Sequence, residues 1–191
     1  MSDAGVDLAR RRALRRLLAL AAIALVAPSA LVRVRAGDAS AVDAALRADD
    51  PGPGPVQVGT DRCPYCSMSV IDARFAAQQV TVTGRVHVYD AIECLVDHVA
   101  GHGGPTLAAG WCYVADHAGS TRDGARMLSV HDAAIVHHGR LRTPMGGGLA
   151  AFEDEAAAAA FLAERGLEGA ETLPWDALVT RSRERPWVPA L

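Results

Sequence analysis

Three sulfur side chains, Cys66, Met68 and Met145, are the residues of this chain whose types and settings point to chemistry. Cys66 and Met68 stand two apart in Tyr65-Cys66-Ser67-Met68, ahead of alternating, strand-like sequence. An extended backbone sends every second side chain to the same face, so a strand here would present a thiolate beside a thioether. Soft donors of that kind select monovalent copper over magnesium, calcium or manganese. Met145 lies far downstream in Thr143-Pro144-Met145-Gly146-Gly147, at the mouth of a glycine turn. Glycine allows close backbone approach, which frees this methionine to reach across the domain as a third soft donor. The bland alternative for each residue is core packing, since cysteine and methionine are commonly buried. Taken together they suggest a carrier of Cu(I) more than an enzyme.

The other chemistry-bearing residues fit less well. Cys63-x-x-Cys66 has no second Cys/His pair at zinc spacing, which argues against a structural zinc site. A thioredoxin-like site wants its cysteine pair at the start of a helix, whereas the sequence after Met68 reads as extended. Cys94 falls on a predicted helix and is expected to be structural, or to pair with Cys112 or touch a ligand pocket; Cys112, between Trp111 and Tyr113, is expected on a buried strand. Of the seven histidines, His131 and His137 are the candidate accessory copper donors, and the rest read as solvated or partly buried side chains. Asp90 is expected to cap a helix, which explains it better than acid/base work does. Gly146-Gly147-Gly148 is followed by no Lys-Ser/Thr and is not a phosphate loop. No nucleophile-elbow, zinc-protease or dinucleotide signature is present.

The elements that must position these residues are legible as a pattern that occurs twice. Strands are predicted over 67–71, 76–82 and 86–89, then a helix over 90–100 and a strand over 111–115. Downstream, strands are predicted over 133–137, 140–143 and 149–152, then an alanine-rich helix over 153–165 capped by Gly166, and a short strand over 171–173. Phe152-Glu153 before the second helix mirrors Tyr89-Asp90 before the first. The expected fold is therefore α+β, built from two pseudo-symmetric ββαβ units.

Charge and hydropathy divide the chain further. Arg10, Arg11, Arg12, Arg15 and Arg16 precede an apolar run from Leu17 to Ala27, short for a membrane span but right for an export signal. The expected organisation is a signal peptide or membrane anchor over 1–36, a Pro/Gly-rich linker over 37–59, a copper-binding domain over 60–175 and a C-terminal tail over 176–191. Seven of the 19 arginines and two of the 22 acids precede Gly37, and there is no lysine, so the remainder carries a net charge of −8. Such an acidic domain is a poor match for nucleic acid. Export also makes disulfides the default for four cysteines, and a disulfide-stapled binding module without metal is one alternative reading.

Read in order, Cys63-Pro64-Tyr65-Cys66-Ser67-Met68, Tyr89-Asp90-Ala91-Ile92-Glu93-Cys94 and Thr143-Pro144-Met145-Gly146-Gly147-Gly148-Leu149-Ala150-Ala151-Phe152 resemble the NosL family. The resemblance covers about residues 62–165. It implies a periplasmic Cu(I) carrier that supplies the tetranuclear copper–sulfide site of nitrous-oxide reductase, with the reductase or its membrane transporter complex as partner. It implies Cys66, Met68 and Met145 as the metal ligands, and a fold related to organomercurial lyase; an enzyme of that kind using Cys66, Cys94 and Asp90 is the second alternative. Two departures stand out. Many members are lipoproteins, and no lipid-bearing cysteine is expected here. Ser67 also stands where the family often has glycine.

Overall fold

The structure, a computed structural model, describes residues 49–103 and 110–188. The expected signal segment and the first part of the expected linker lie outside the described residues. Among the described residues no helix is long and apolar enough to cross a membrane.

Among the described residues, seven strands, three α-helices and a short 3-10 turn at Ala73–Phe75 make up an α+β fold with two antiparallel sheets. The first half runs β1 (Ala77–Thr81), β2 (Val86–Tyr89), α1 (Ile92–Ala100), β3 (Gly110–Ala115) and β4 (Met127–Ser129). The second runs β5 (Ala134–His137), β6 (Leu149–Phe152), α2 (Glu155–Glu164), β7 (Glu171–Thr172) and α3 (Trp175–Glu184). The sheets are ordered β2-β1-β3-β4 and β6-β5-β7. In each, the first strand is central, its hairpin partner lies on one side and the strand after the helix on the other. A parallel bridge between Asp116 and Ala151, with His117 N–H donating to the Ala151 carbonyl at 2.8 Å, joins the end of β3 to β6.

β1 is buried at every position, although it carries Gln78 and Gln79. A buried amide must find partners, and Gln78 finds them in the segment before the domain: its Nε2 donates to the Gly54 carbonyl at 2.9 Å and its Oε1 accepts the Gly54 N–H at 3.0 Å. Tyr113 donates to Asp50 close by. The second part of the expected linker is therefore strapped across the first sheet.

Helix α1 is buried nearly all round. One flank faces the strands of the first half and β6, and another faces α3. Two of its buried groups are carboxylates, Glu93 and Asp97, each 0% exposed. Asp97 Oδ1 accepts Ser182 Oγ at 2.6 Å and Trp187 N–H at 2.9 Å, and Oδ2 accepts Val188 N–H at 2.8 Å. The stretch expected as a tail is thus a helix followed by a segment tied to α1. Trp175, Leu178, Val179 and Ser182 are its buried positions. Helix α2 starts at Asp154, whose carboxylate accepts Ala157 N–H at 2.7 Å, and it buries Ala158 and Phe161 rather than a longer stripe.

Two further expectations are corrected, and one strand was not expected. Residues 67–71 are not a strand but leave a tight turn through a single bridge between Arg62 and Ser69. Residues 140–143 are loop, held by a Leu141 N–H bond to the His138 carbonyl at 2.8 Å. Strand β4, three residues long, was too short to register as a periodic segment.

Candidate metal centre

The site is built from a turn, a helix start and a loop. The turn is 63–68. Ser67 N–H donates to the Cys63 carbonyl at 2.9 Å and Cys63 N–H to the Met68 carbonyl at 2.8 Å, so the chain folds back on itself between the two. The reversal needs a left-handed residue, and Ser67 supplies it at φ +64°, the one non-glycine with positive φ among the described residues. That is the conformation in which a Cβ is disfavoured, which gives a physical reason for glycine at this position in the family pattern. It also breaks the two-residue alternation expected for a strand. Cys66 turns inward and is half-buried, whereas Met68 is 43% exposed.

The helix start brings Asp90 and Cys94. Asp90 does not cap α1; the N-cap is Ala91, without a side-chain bond. The Asp90 carboxylate, 1% exposed, instead accepts two thiols on one oxygen: Cys66 Sγ at 3.2 Å and Cys94 Sγ at 3.3 Å. Cys63 completes the group. The three sulfurs and a carboxylate oxygen of Asp90 all lie within 4.8 Å of one another, a cluster able to hold a metal ion. All four cysteines are unbonded thiols, and Cys112, on β3, is not in the cluster.

Packing several acids together in a buried place forces them to share protons. The Cys94 sulfur lies against Cys63, and this hydrogen-bonding contact lowers the Cys63 pKa to about 7 against the opposing effect of burial; N–H groups of Cys66 and Asp90 help. The same bond, then burial, pushes Cys94 far up. Burial, with the charges of Cys63 and Asp90, pushes Cys66 up to about 12. Cys63 is accordingly the most readily ionised thiol of the cluster, while Cys66 and Cys94 are held toward their protonated forms. A metal bound by Cys66 must displace its proton.

Met145 comes in on the loop 143–149 between β5 and β6. It is 7% exposed and belongs to the apolar cluster that contains Cys63, Cys94 and Tyr89, against which Cys66 packs. The loop can lie this close because Gly147 rests on Glu93 of α1: a Cβ there would stand 2.4 Å from Glu93 Cγ. Of the predicted ligands, then, Cys66 joins the thiol cluster, Met145 lies in the same hydrophobic core as Cys63 and Cys94, and Met68 is exposed on the turn. Asp90, Cys63 and Cys94 are not among the predicted metal ligands; Asp90 and Cys94 enter only the alternative enzyme reading. The signal for two of them was the i, i+4 spacing of Asp90 and Cys94, which places both on one face where a helix begins. The candidate accessory donor His131 falls in the turn after β4, and His137 stacks its ring on Trp187 at 5.0 Å; neither is in the cluster. His117 is buried among Phe75, Phe152 and Phe161, at 5.1, 5.8 and 4.6 Å between ring centroids.

With this geometry in hand, comparison with known proteins gives a family. The NosL family model matches residues 55–178, well over half of the chain. The chain belongs to the NosL family. Among solved structures it is similar to the crystal structure of the copper chaperone NosL from Shewanella denitrificans, with a TM-score of 0.47 and 18% identity over 58% of this chain and 89% of that one. No curated protein matches the chain. The matched region begins within the strap over β1 and ends inside α3, so it takes in both halves and every residue of the thiol cluster.

Proposed function

We propose that this NosL-family protein is an exported Cu(I) carrier in which Cys66 binds as thiolate and Met68 and Met145 as thioethers. The cargo is Cu(I), and the receiver is the machinery that assembles the copper–sulfide site of nitrous-oxide reductase, or the reductase itself. The observation that carries this reading is a gradient of soft donors. Cys63 and Cys94 are buried, Cys66 is half-buried and Met68 is open to solvent, so sulfur ligands run from the interior to the surface with no gap in chemical type. Monovalent copper favours such donors and exchanges between them, and an exposed outermost thioether suits transfer to an incoming ligand. Matching strand orders in the two halves support a duplicated, pseudo-symmetric ββαβ origin. Periplasmic residence follows the N-terminal arginine and apolar pattern.

Anaerobic Cu(I) titration of the full chain tests the reading. One ion per chain should bind, and Cys66→Ser should weaken binding by at least about a hundredfold, as expected when a first ligand to a metal is lost. Unchanged affinity in that variant ends the assignment.

One observation favours a second reading. Two thiols donating to a single buried carboxylate can take a metal bound to carbon. Both sulfurs would bond to mercury, one thiol proton leaving to solvent and the other passing through Asp90 to the carbon as the carbon–mercury bond breaks. Incubation with a phenylmercury salt separates the readings: a carrier releases no benzene.

A further inference from the structure

We infer that Glu93 is a positioning residue that latches the methionine loop to the helix carrying Cys94. Its carboxyl is fully buried in the first turn of α1. A single oxygen, Oε1, accepts Thr143 Oγ1 at 2.5 Å and Leu149 N–H at 3.2 Å. Those two residues are the ends of the loop that contains Met145. The Thr143 hydroxyl in turn accepts Gly148 N–H at 3.2 Å. One carboxyl oxygen therefore closes the loop at both ends and fastens it to α1.

The fit is close as well as bonded. A Cβ on Gly147 would meet Glu93 Oε1 at 3.1 Å and the Trp187 carbonyl at 3.0 Å in addition to Glu93 Cγ. Three consecutive glycines have much conformational freedom to lose, so without an anchor this loop would sample many states and Met145 would leave its place in the core that it shares with Cys63 and Cys94. Burying a carboxyl for stability alone is a poor choice, because an apolar side chain of similar size avoids the desolvation. The other oxygen, Oε2, is buried with no hydrogen-bond partner among the described residues, a cost that the structure tolerates for what Oε1 does. Glu93 reaches no sulfur; it acts through the loop.

The functional half of this inference rests on the reading of Met145 as a copper ligand, and the structural half does not. The test uses the full chain with E93Q, E93A and T143V, and reads two quantities. The first is amide exchange at Gly148 and Leu149 in metal-free protein. The second is Cu(I) affinity by anaerobic competition with a chromophoric chelator. Losing one loop anchor should speed exchange and weaken Cu(I) about tenfold in E93A and T143V, whereas E93Q, which keeps an acceptor oxygen, should stay near wild type in both. T143V carries the test if E93A does not fold. Wild-type exchange rates in T143V, or E93Q as perturbed as E93A, overturn the inference. Faster exchange with unchanged affinity, matched by an unchanged M145L, upholds the latch and removes Met145 from the copper site.

Discussion

The proton held by Cys66 makes copper binding a pH measurement. Burial and the neighbouring negative charges hold this thiol at about 12, so at neutral pH it is protonated. A Cu(I)–thiolate bond must therefore expel one proton at any pH well below that value. The sign follows directly: raising the pH favours the product, and apparent affinity rises tenfold per pH unit. Between pH 6 and pH 8 the gain is about a hundredfold, or about 2.7 kcal/mol. The slope also counts ligands. With Cys66 as the only thiolate, log affinity rises with slope one throughout. If Cys63 also binds, its pKa of about 7 adds a second proton only on the acid side, and the slope steepens toward two as pH falls through that value. If Cys94 binds, a further unit appears across the whole range, because its pKa lies far above it. The assay is anaerobic competition against a chelator whose own protonation is known, repeated from pH 6 to 8, with released protons counted in weakly buffered solution. A flat dependence would refute the reasoning, since it would mean that no protonated thiol is displaced.

Two further outcomes concern the frame that holds the site. Asp97→Asn should destabilise the domain by about 2–3 kcal/mol, because one of three buried donors then faces an amide N–H rather than an oxygen; calorimetry should show a fall of several degrees in Tm. Ser67→Gly should raise stability by about 1 kcal/mol by removing a Cβ from a left-handed residue, read as a shifted urea midpoint at constant m-value, and a destabilised variant would mean that the serine side chain has a task of its own.

Much of the scaffold could be read from the residues. The strand 86–89 and the strand 149–152 have the expected bounds, because a turn signal on one side and a helix start on the other leave little freedom. The reading of 67–71 failed because alternation was counted across Ser67 as if every residue took a negative φ. Side-chain type gave no sign that a serine would sit in the left-handed region. Asp90 was misread for a related reason. An acid just before a helix is most often a cap, and only the thiols arriving from a turn 24 residues earlier redirect it, a contact no local pattern encodes. The C-terminal helix was missed where local information did exist. Trp175, Leu178, Val179 and Ser182 follow helical spacing, but Asp176, Arg181, Arg183 and Glu184 around them give the stretch the composition of a solvated tail. The soft residues themselves were conspicuous because their chemistry is rare, whereas the acids beside them are common and reveal their part only through burial.

Asp97 and Cys94 occupy the same nine-residue helix, three residues and so less than one turn apart, and the partners of Asp97 lie 85 to 91 positions further along the chain. The helix that carries a thiol of the cluster is thus clamped by the last stretch of the domain to be synthesised. Until that stretch arrives, the carboxylate is better served by water than by the interior, and the thiol one turn away lacks a rigid floor. Damage to the segment 182–188, distant from any sulfur in sequence, therefore reaches the metal centre across a single helical turn.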